Sequence, residues 1–187
     1  FLPKLVEFDS NELNSRKSLN ARGLIRAGII PDDSCLGSLR DKVKAIIPGH
    51  GHLDHIGALP YLADKYNCPV IATPLSMEIL KHSLKDESIR IKNKFVTLNP
   101  GQSYKISNNL EVEFIHITHS ILDTVIVVLH TKYGAIVYAN DFKLDNSPVL
   151  DTPPDYKRLK RIGEDGVKIL ILDAIYSGSP GKTPSEK

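Results

Sequence analysis

The segment that constrains this chain most is Gly49-His50-Gly51-His52-Leu53-Asp54-His55, placed directly after an apolar run at residues 43–47. Three imidazoles and one carboxylate within six residues are a dense set of nitrogen and oxygen donors, suited to a borderline cation such as Zn2+. Clustering them without a shared ion would leave several polar groups in need of partners. The glycines at 49 and 51 let the backbone fold tightly, so that neighbouring side chains can converge on a small volume. His50 and His52 can address one ion while Asp54 and His55 address a second, which suits a pair of ions about 3.5–4 Å apart clamping a water and a substrate oxygen.

The rest of the pattern alternates strand-length apolar runs with helix and turn signals, which predicts an α/β architecture. A short helix is expected at 19–27, after polar clusters beginning at Asp9 and Asn14. Buried strands are expected at 43–47 and 70–72, with a helix at 56–66 between them. Thr73 and Pro74 then read as the cap and first position of a helix that turns Leu75, Ile79 and Leu80 inward and exposes Lys81 and Lys85. Runs at 95–98, 102–106 and 110–118 are separated by Asn99-Pro100-Gly101 and Ser107-Asn108-Asn109. The runs at 125–130 and 135–139 flank a hairpin turn, and such short connections favour antiparallel pairing. A helix at 155–162 stops at Gly163, and 167–172 reads as a final buried strand.

Two further runs end as the first does. The run through Thr118 delivers His119, and the run through Ala139 delivers Asp141. Ligands in α/β proteins gather outside the carboxyl ends of strands, so the three ends can share one crevice. His119 would complete a three-histidine set with His50 and His52, and Asp141 could bridge two ions. His82, His116 and His130 fall inside helix or strand patterns and read as structural. The basic stretches 81–94 and 157–161 read first as solvated helix faces.

The set His50-x-His52-x-Asp54-His55, followed by His119 and Asp141, resembles the metallo-β-lactamase superfamily. The words Gly51-His52-Leu53-Asp54-His55-Ile56-Gly57-Ala58, Thr118-His119-Ser120-Ile121, Ala139-Asn140-Asp141-Phe142-Lys143 and Thr183-Pro184-Ser185-Glu186 are similar to its ribonuclease J group, in the archaeal branch. That resemblance implies a four-layer αββα sandwich and two zinc ions. It assigns His50, His52 and His119 to one ion, and Asp54, His55 and Asp141 to the other. It further implies hydrolysis of RNA phosphodiester bonds, 5′-to-3′ from an end and in places internally, in a cytoplasmic protein that forms a homodimer when intact. Paired metals lower the pKa of a water and stabilise charge on phosphoryl oxygens, and Asp54 is the candidate general base.

Departures from the family pattern accompany the matches. No Asp-x-Gly precedes His50, Leu122 stands where many relatives carry proline, and no late histidine ligand follows. The chain starts on Phe1 and not on methionine. The expectation is therefore a partial catalytic domain over residues 1–187, incomplete at both ends and inactive by itself, with a β-CASP insert beginning near or after 183. Two other readings keep the metal: a thioester or lactam hydrolase of the same fold, and an inactive zinc-containing interaction domain.

Composition narrows the remaining classes. Hydrophobic residues at 41% and charged residues at 25% of the chain exclude a disordered or collagenous protein. No apolar run approaches the ~18 residues of a membrane span and no signal peptide opens the chain, so it reads as soluble and intracellular. A net charge of +2 neither announces nor excludes a nucleic-acid partner. Cys35 and Cys68 lie too far apart for a zinc ribbon and read as buried free thiols.

Overall fold

The computed structural model describes residues 20–185 and 187, so the polar clusters at Asp9 and Asn14, and Leu19, lie outside the described residues. A first helix, α1 (Ala21–Arg26), is capped by the Asn20 side chain, which accepts from the Gly23 N–H at 3.0 Å. After a 3-10 segment, Asp33–Lys42, the chain enters the run at 43–47. That run makes a single bridge, Ile46 to Val70, in place of the predicted buried strand. Two backbone bonds tie it to the neighbouring strand segment, from Ile46 N–H to Pro69 and from Ile71 N–H to Ile46, each 2.9 Å.

The predicted helix at 56–66 starts earlier and is broken. It consists of α2 (Leu53–Ile56), α3 (Leu59–Leu62) and a 3-10 turn, Ala63–Lys65. Pro60 has no N–H to offer the Ile56 carbonyl, so the first turn cannot run on into the second. Strand β1 (Val70–Ala72), helix α4 (Pro74–Asp86) and strand β2 (Phe95–Thr97) form a parallel crossover unit, with Val70 opposite Phe95. The buried stripe of α4 is Ser76, Met77, Leu80 and Leu84, rotated slightly from the predicted one; Leu75 and Ile79 are half-buried.

The larger sheet contains β3 (Ser103–Ser107), β4 (Leu110–His116), β5 (Val125–Thr131), β6 (Gly134–Ala139) and β7 (Val167–Leu172), in that spatial order. Its first four strands pair antiparallel, as their short connections require. β7 pairs parallel to β6 after a crossover through α5 (Tyr156–Asp165). That helix passes Gly163, where the sequence pattern predicted its end. It stops at Gly166, whose φ of 103° is open to glycine but costly for other residues.

Period-two alternation sorts side chains to the two faces of this sheet. Val112, Phe114, Val125 and Val127 face the small sheet and pack with Ile71 and Leu98. Ile115, Ile126, Val128 and Val137 face the other way and pack on Ile162 and Leu159 of α5. A third cluster, Ala63, Val70, Leu80 and Leu84, lies between the small sheet and α4. Three apolar interfaces separate four layers, helix, sheet, sheet and helix. Each fully buried aliphatic or aromatic side chain contributes about 1.5–3 kcal/mol relative to exposure.

Two expectations of burial are corrected. The five apolar residues of β7 are 37–58% exposed: among the described residues this strand is the last of its sheet, and none of its side chains joins the buried clusters on either face. Cys35 is exposed, since its 3-10 segment buries none of its residues, whereas Cys68 is buried and burial pushes its thiol up. Among the described residues no helix is long and apolar enough to cross a membrane.

Candidate metal centre

One end of the two sheets carries the donors. His50 follows the extended segment bridged at Ile46, His119 lies three residues past β4, and Asp141 lies two residues past β6. β5 is antiparallel to both of those strands, so its first residue, Val125, sits at the same end. Val125 donates its N–H to the Gly49 carbonyl at 3.0 Å, which ties the histidine loop to the large sheet. His52 occupies the N-cap position of α2, placing Asp54 and His55 in its first turn.

The loop glycines serve close approach more than unusual dihedral angles, as neither has a positive φ. A Cβ at Gly49 would collide with the Asn140 carboxamide, and one at Gly51 would lie 2.8 Å from Ile79 Cδ1 of α4. The loop carrying His119 is pinned by Asp123, which accepts from the Leu75 N–H at the start of α4 at 3.1 Å. Thr118 adds a hydroxyl bond to the Lys143 carbonyl.

The six sequence-predicted residues fall into two groups that share Asp141. Donor atoms of His50, His52, His119 and Asp141 lie within 4.8 Å of one another, as do those of Asp54, His55 and Asp141. Asp141 Oδ2 is the common point. It lies 3.3 Å from His55 Nε2, 3.7 Å from His50 Nε2 and 3.7 Å from His119 Nε2. His119 Nε2 is 3.2 Å from His52 Nδ1, and Asp54 Oδ2 is 3.6 Å from His55 Nε2. Asp54 is the outermost member, with 77% of its side chain exposed.

The donor chemistry fits a divalent cation. Burial pushes His50 down to about 4, against the opposing effect of its hydrogen bond to Asn140. Burial and the neighbouring His52 push His119 down as well. Imidazoles with lowered pKa values are neutral and keep a lone pair for a ligand. His50 is fully buried, yet its Nε2 has no hydrogen-bond partner, an arrangement that costs free energy unless something accepts that lone pair. Tetrahedral ligands at ~2.0–2.2 Å from a zinc ion stand about 3.3 Å apart, close to the spacings around Asp141.

The other three histidines are engaged elsewhere. His116 Nε2 bonds the Thr152 carbonyl at 2.8 Å, His130 Nε2 bonds Glu113 at 2.7 Å, and His82 pairs with Asp86 at 3.0 Å on the surface of α4. The basic stretch at 157–161 is partly consumed by structure: Arg158 forks onto Glu113 and Lys160 pairs with Glu164. Asn140 is the residue whose role the sequence left unread. It accepts from His50 Nδ1 at 2.7 Å and donates to the Val125 carbonyl at 2.8 Å. Its one sequence signal was a buried-type strand ending in two polar residues, Asn140 and Asp141, where one would do for a ligand.

A layered αββα core with histidines and aspartates gathered at its strand ends places the chain in a metal-binding fold class, and the chain belongs to the metallo-beta-lactamase superfamily, matched over residues 31–175. A crystal structure of a protein of unknown function from Enterococcus faecalis V583 has the same fold, with a TM-score of 0.51 and 18% identity over 76% of this chain and 34% of that one. Within the superfamily the similarity is to Ribonuclease J. The protein of that name from Methanocaldococcus jannaschii is 47% identical over 99% of this chain and 41% of its own length. Those from Pyrococcus abyssi and Helicobacter pylori are 42% and 37% identical, over 91% and 84% of this chain and 38% and 23% of theirs. The chain thus spans about two-fifths or less of these relatives.

Proposed function

We propose that the intact protein is a zinc-dependent ribonuclease that hydrolyses RNA phosphodiester bonds, acting 5′-to-3′ from an end and also internally, in the cytoplasm. The observation that carries this reading is the convergence of two donor groups on the single oxygen Asp141 Oδ2. The similarity to proteins named Ribonuclease J supports RNA as the substrate.

His50, His52 and His119 would hold one ion and Asp54 and His55 the other, with Asp141 between them. When bound, such ions act as Lewis acids toward a phosphoryl oxygen and make a nearby water easier to deprotonate. The remaining tasks fall to the chain itself. Asp54 would accept a proton from a water entering from solvent, a role supported by its exposure at the rim beside His55. The buried imidazole of His50 anchors the inner wall, and the Asp123 contact to α4 holds the His119 loop against it.

Two measurements test the reading. Metal analysis of the intact protein is expected to find zinc that the His52→Ala variant loses, and unchanged zinc content would reject the assignment of that group. A 5′-monophosphorylated RNA is expected to release mononucleotides from its 5′ end. Release from the 3′ end would reject the direction, and no cleavage would reject the activity.

A further inference from the structure

The contact between His50 and Asn140 decides more than the position of a ring. Asn140 is buried at 3% exposure, and its carboxamide bridges two fixed groups, His50 Nδ1 and the Val125 carbonyl. A backbone carbonyl can only accept, so the amide nitrogen of Asn140 must face Val125. The amide oxygen is then left facing His50, and because that oxygen can only accept, His50 Nδ1 must carry the proton. In a neutral ring the Nε2 lone pair is consequently free. Nε2 is the atom that has no hydrogen-bond partner and lies 3.7 Å from Asp141 Oδ2.

The other imidazoles of the cluster lack this arrangement. Among the described residues, His52, His55 and His119 have no backbone or amide partner on a second nitrogen. Their contacts are with one another and with carboxylates. Gly49 belongs to the same device, since any side chain there would occupy the space of the Asn140 carboxamide. Its carbonyl accepts from Val125, the residue whose own carbonyl orients Asn140.

We infer that Asn140 is a positioning residue that locks His50 in the Nδ1–H tautomer, holding Nε2 ready for a divalent cation before any cation arrives. This rests on the metal reading proposed above but concerns a residue outside the ligand set. An acceptor bonded to the far nitrogen of a ligating imidazole orients the ring and raises the basicity of the ligating nitrogen, and its loss costs about 10–100-fold in metal affinity.

The test uses the intact protein stripped of metal by a chelator, with 15N-labelled histidine. The imidazole nitrogens of His50 are expected to show a protonated Nδ1 and an unprotonated Nε2 in the metal-free state. The Asn140→Leu variant is expected to lose that single tautomer and to bind zinc about 10–100-fold more weakly. Asn140→Asp keeps an acceptor toward Nδ1 and, when protonated, a donor toward Val125, and should restore most of both. A protonated Nε2 in the unsubstituted protein would overturn the inference without reference to any variant. Retention of the tautomer and of zinc affinity in Asn140→Leu would overturn it as well. If the predicted tautomer is found but zinc does not bind at all, the tautomer assignment is upheld and the metal reading fails.

Discussion

Midway along β4, Glu113 accepts two bonds from Arg158 of α5, at 2.5 and 2.8 Å, and a third from His130 at 2.7 Å. Beyond the end of the same strand, His119 joins His50 and His55 around one oxygen of Asp141 at 3.3–3.7 Å, at or beyond the reach of a hydrogen bond. Both clusters combine histidine with carboxylate on one sheet, but their pairing differs. Around Glu113 both partners meet the carboxylate and the contacts are short. Around Asp141 four imidazoles crowd one inner carboxylate, ring centroids stand 4.1–4.9 Å apart, and a buried nitrogen has no partner. A cluster that closes on itself holds a fold together, whereas one that leaves a buried ring nitrogen without a partner beside a carboxylate is arranged for something outside the chain.

The largest expected effect separates the two on function. Asp141→Asn in the intact protein should lower RNA cleavage by at least on the order of 10²–10³-fold, since it weakens both donor groups at once. Metal content should fall in parallel, and retention of both activity and metal would erase the distinction drawn here.

Glu113→Gln is the matching change in the closed cluster. It should lower stability in urea by about 2 kcal/mol, less than a fully buried pair because Arg158 and His130 are each about a third exposed. Bound metal should not change.

Acid sharpens the same contrast. Burial pushes the Glu113 carboxyl up, but Arg158 and His130 outweigh it and hold the group below its ordinary value of 4.5. A carboxyl whose folded pKa is depressed stabilises the fold above its unfolded pKa and loses that contribution as pH falls through the folded value. The stability difference between the unsubstituted protein and Glu113→Gln should therefore be full at neutral pH and shrink below about pH 4.5. A difference that stays constant down to the acid limit would show that the carboxylate charge is not what matters. The smallest effect is expected for His82→Ala, which breaks an exposed contact to Asp86 on α4 and should move stability by no more than about 0.5 kcal/mol.

Much of this molecule was legible in its residues, and the misses have physical causes. The strands of the large sheet were readable because period-two alternation sorts Val112 and Phe114 from Ile115 and Ile117 within one short run. The apolar spacing at 56–66 reads as one helix, but Pro60 breaks it from the preceding turn. β7 was expected to be buried because its composition suits a strand covered on both faces, but a strand's place in the sheet order is not written in its own residues. The role of Asn140 is not legible from its neighbours in the chain, because its partner His50 lies 90 residues away.

The sequence by itself determined the donor types, their density at residues 50–55, and the likeness of three strand ends. These follow from local order along the chain, where side-chain period and residue chemistry act over a few positions. Only the tertiary structure decided that Asp141 stands between the two donor groups, that Gly49 is small to admit Asn140, and that Asn140 orients His50 through the Val125 carbonyl. Those relations join residues from the histidine loop and the ends of β4, β5 and β6. Their distances come into being only when the sheets pair in register and pack face to face.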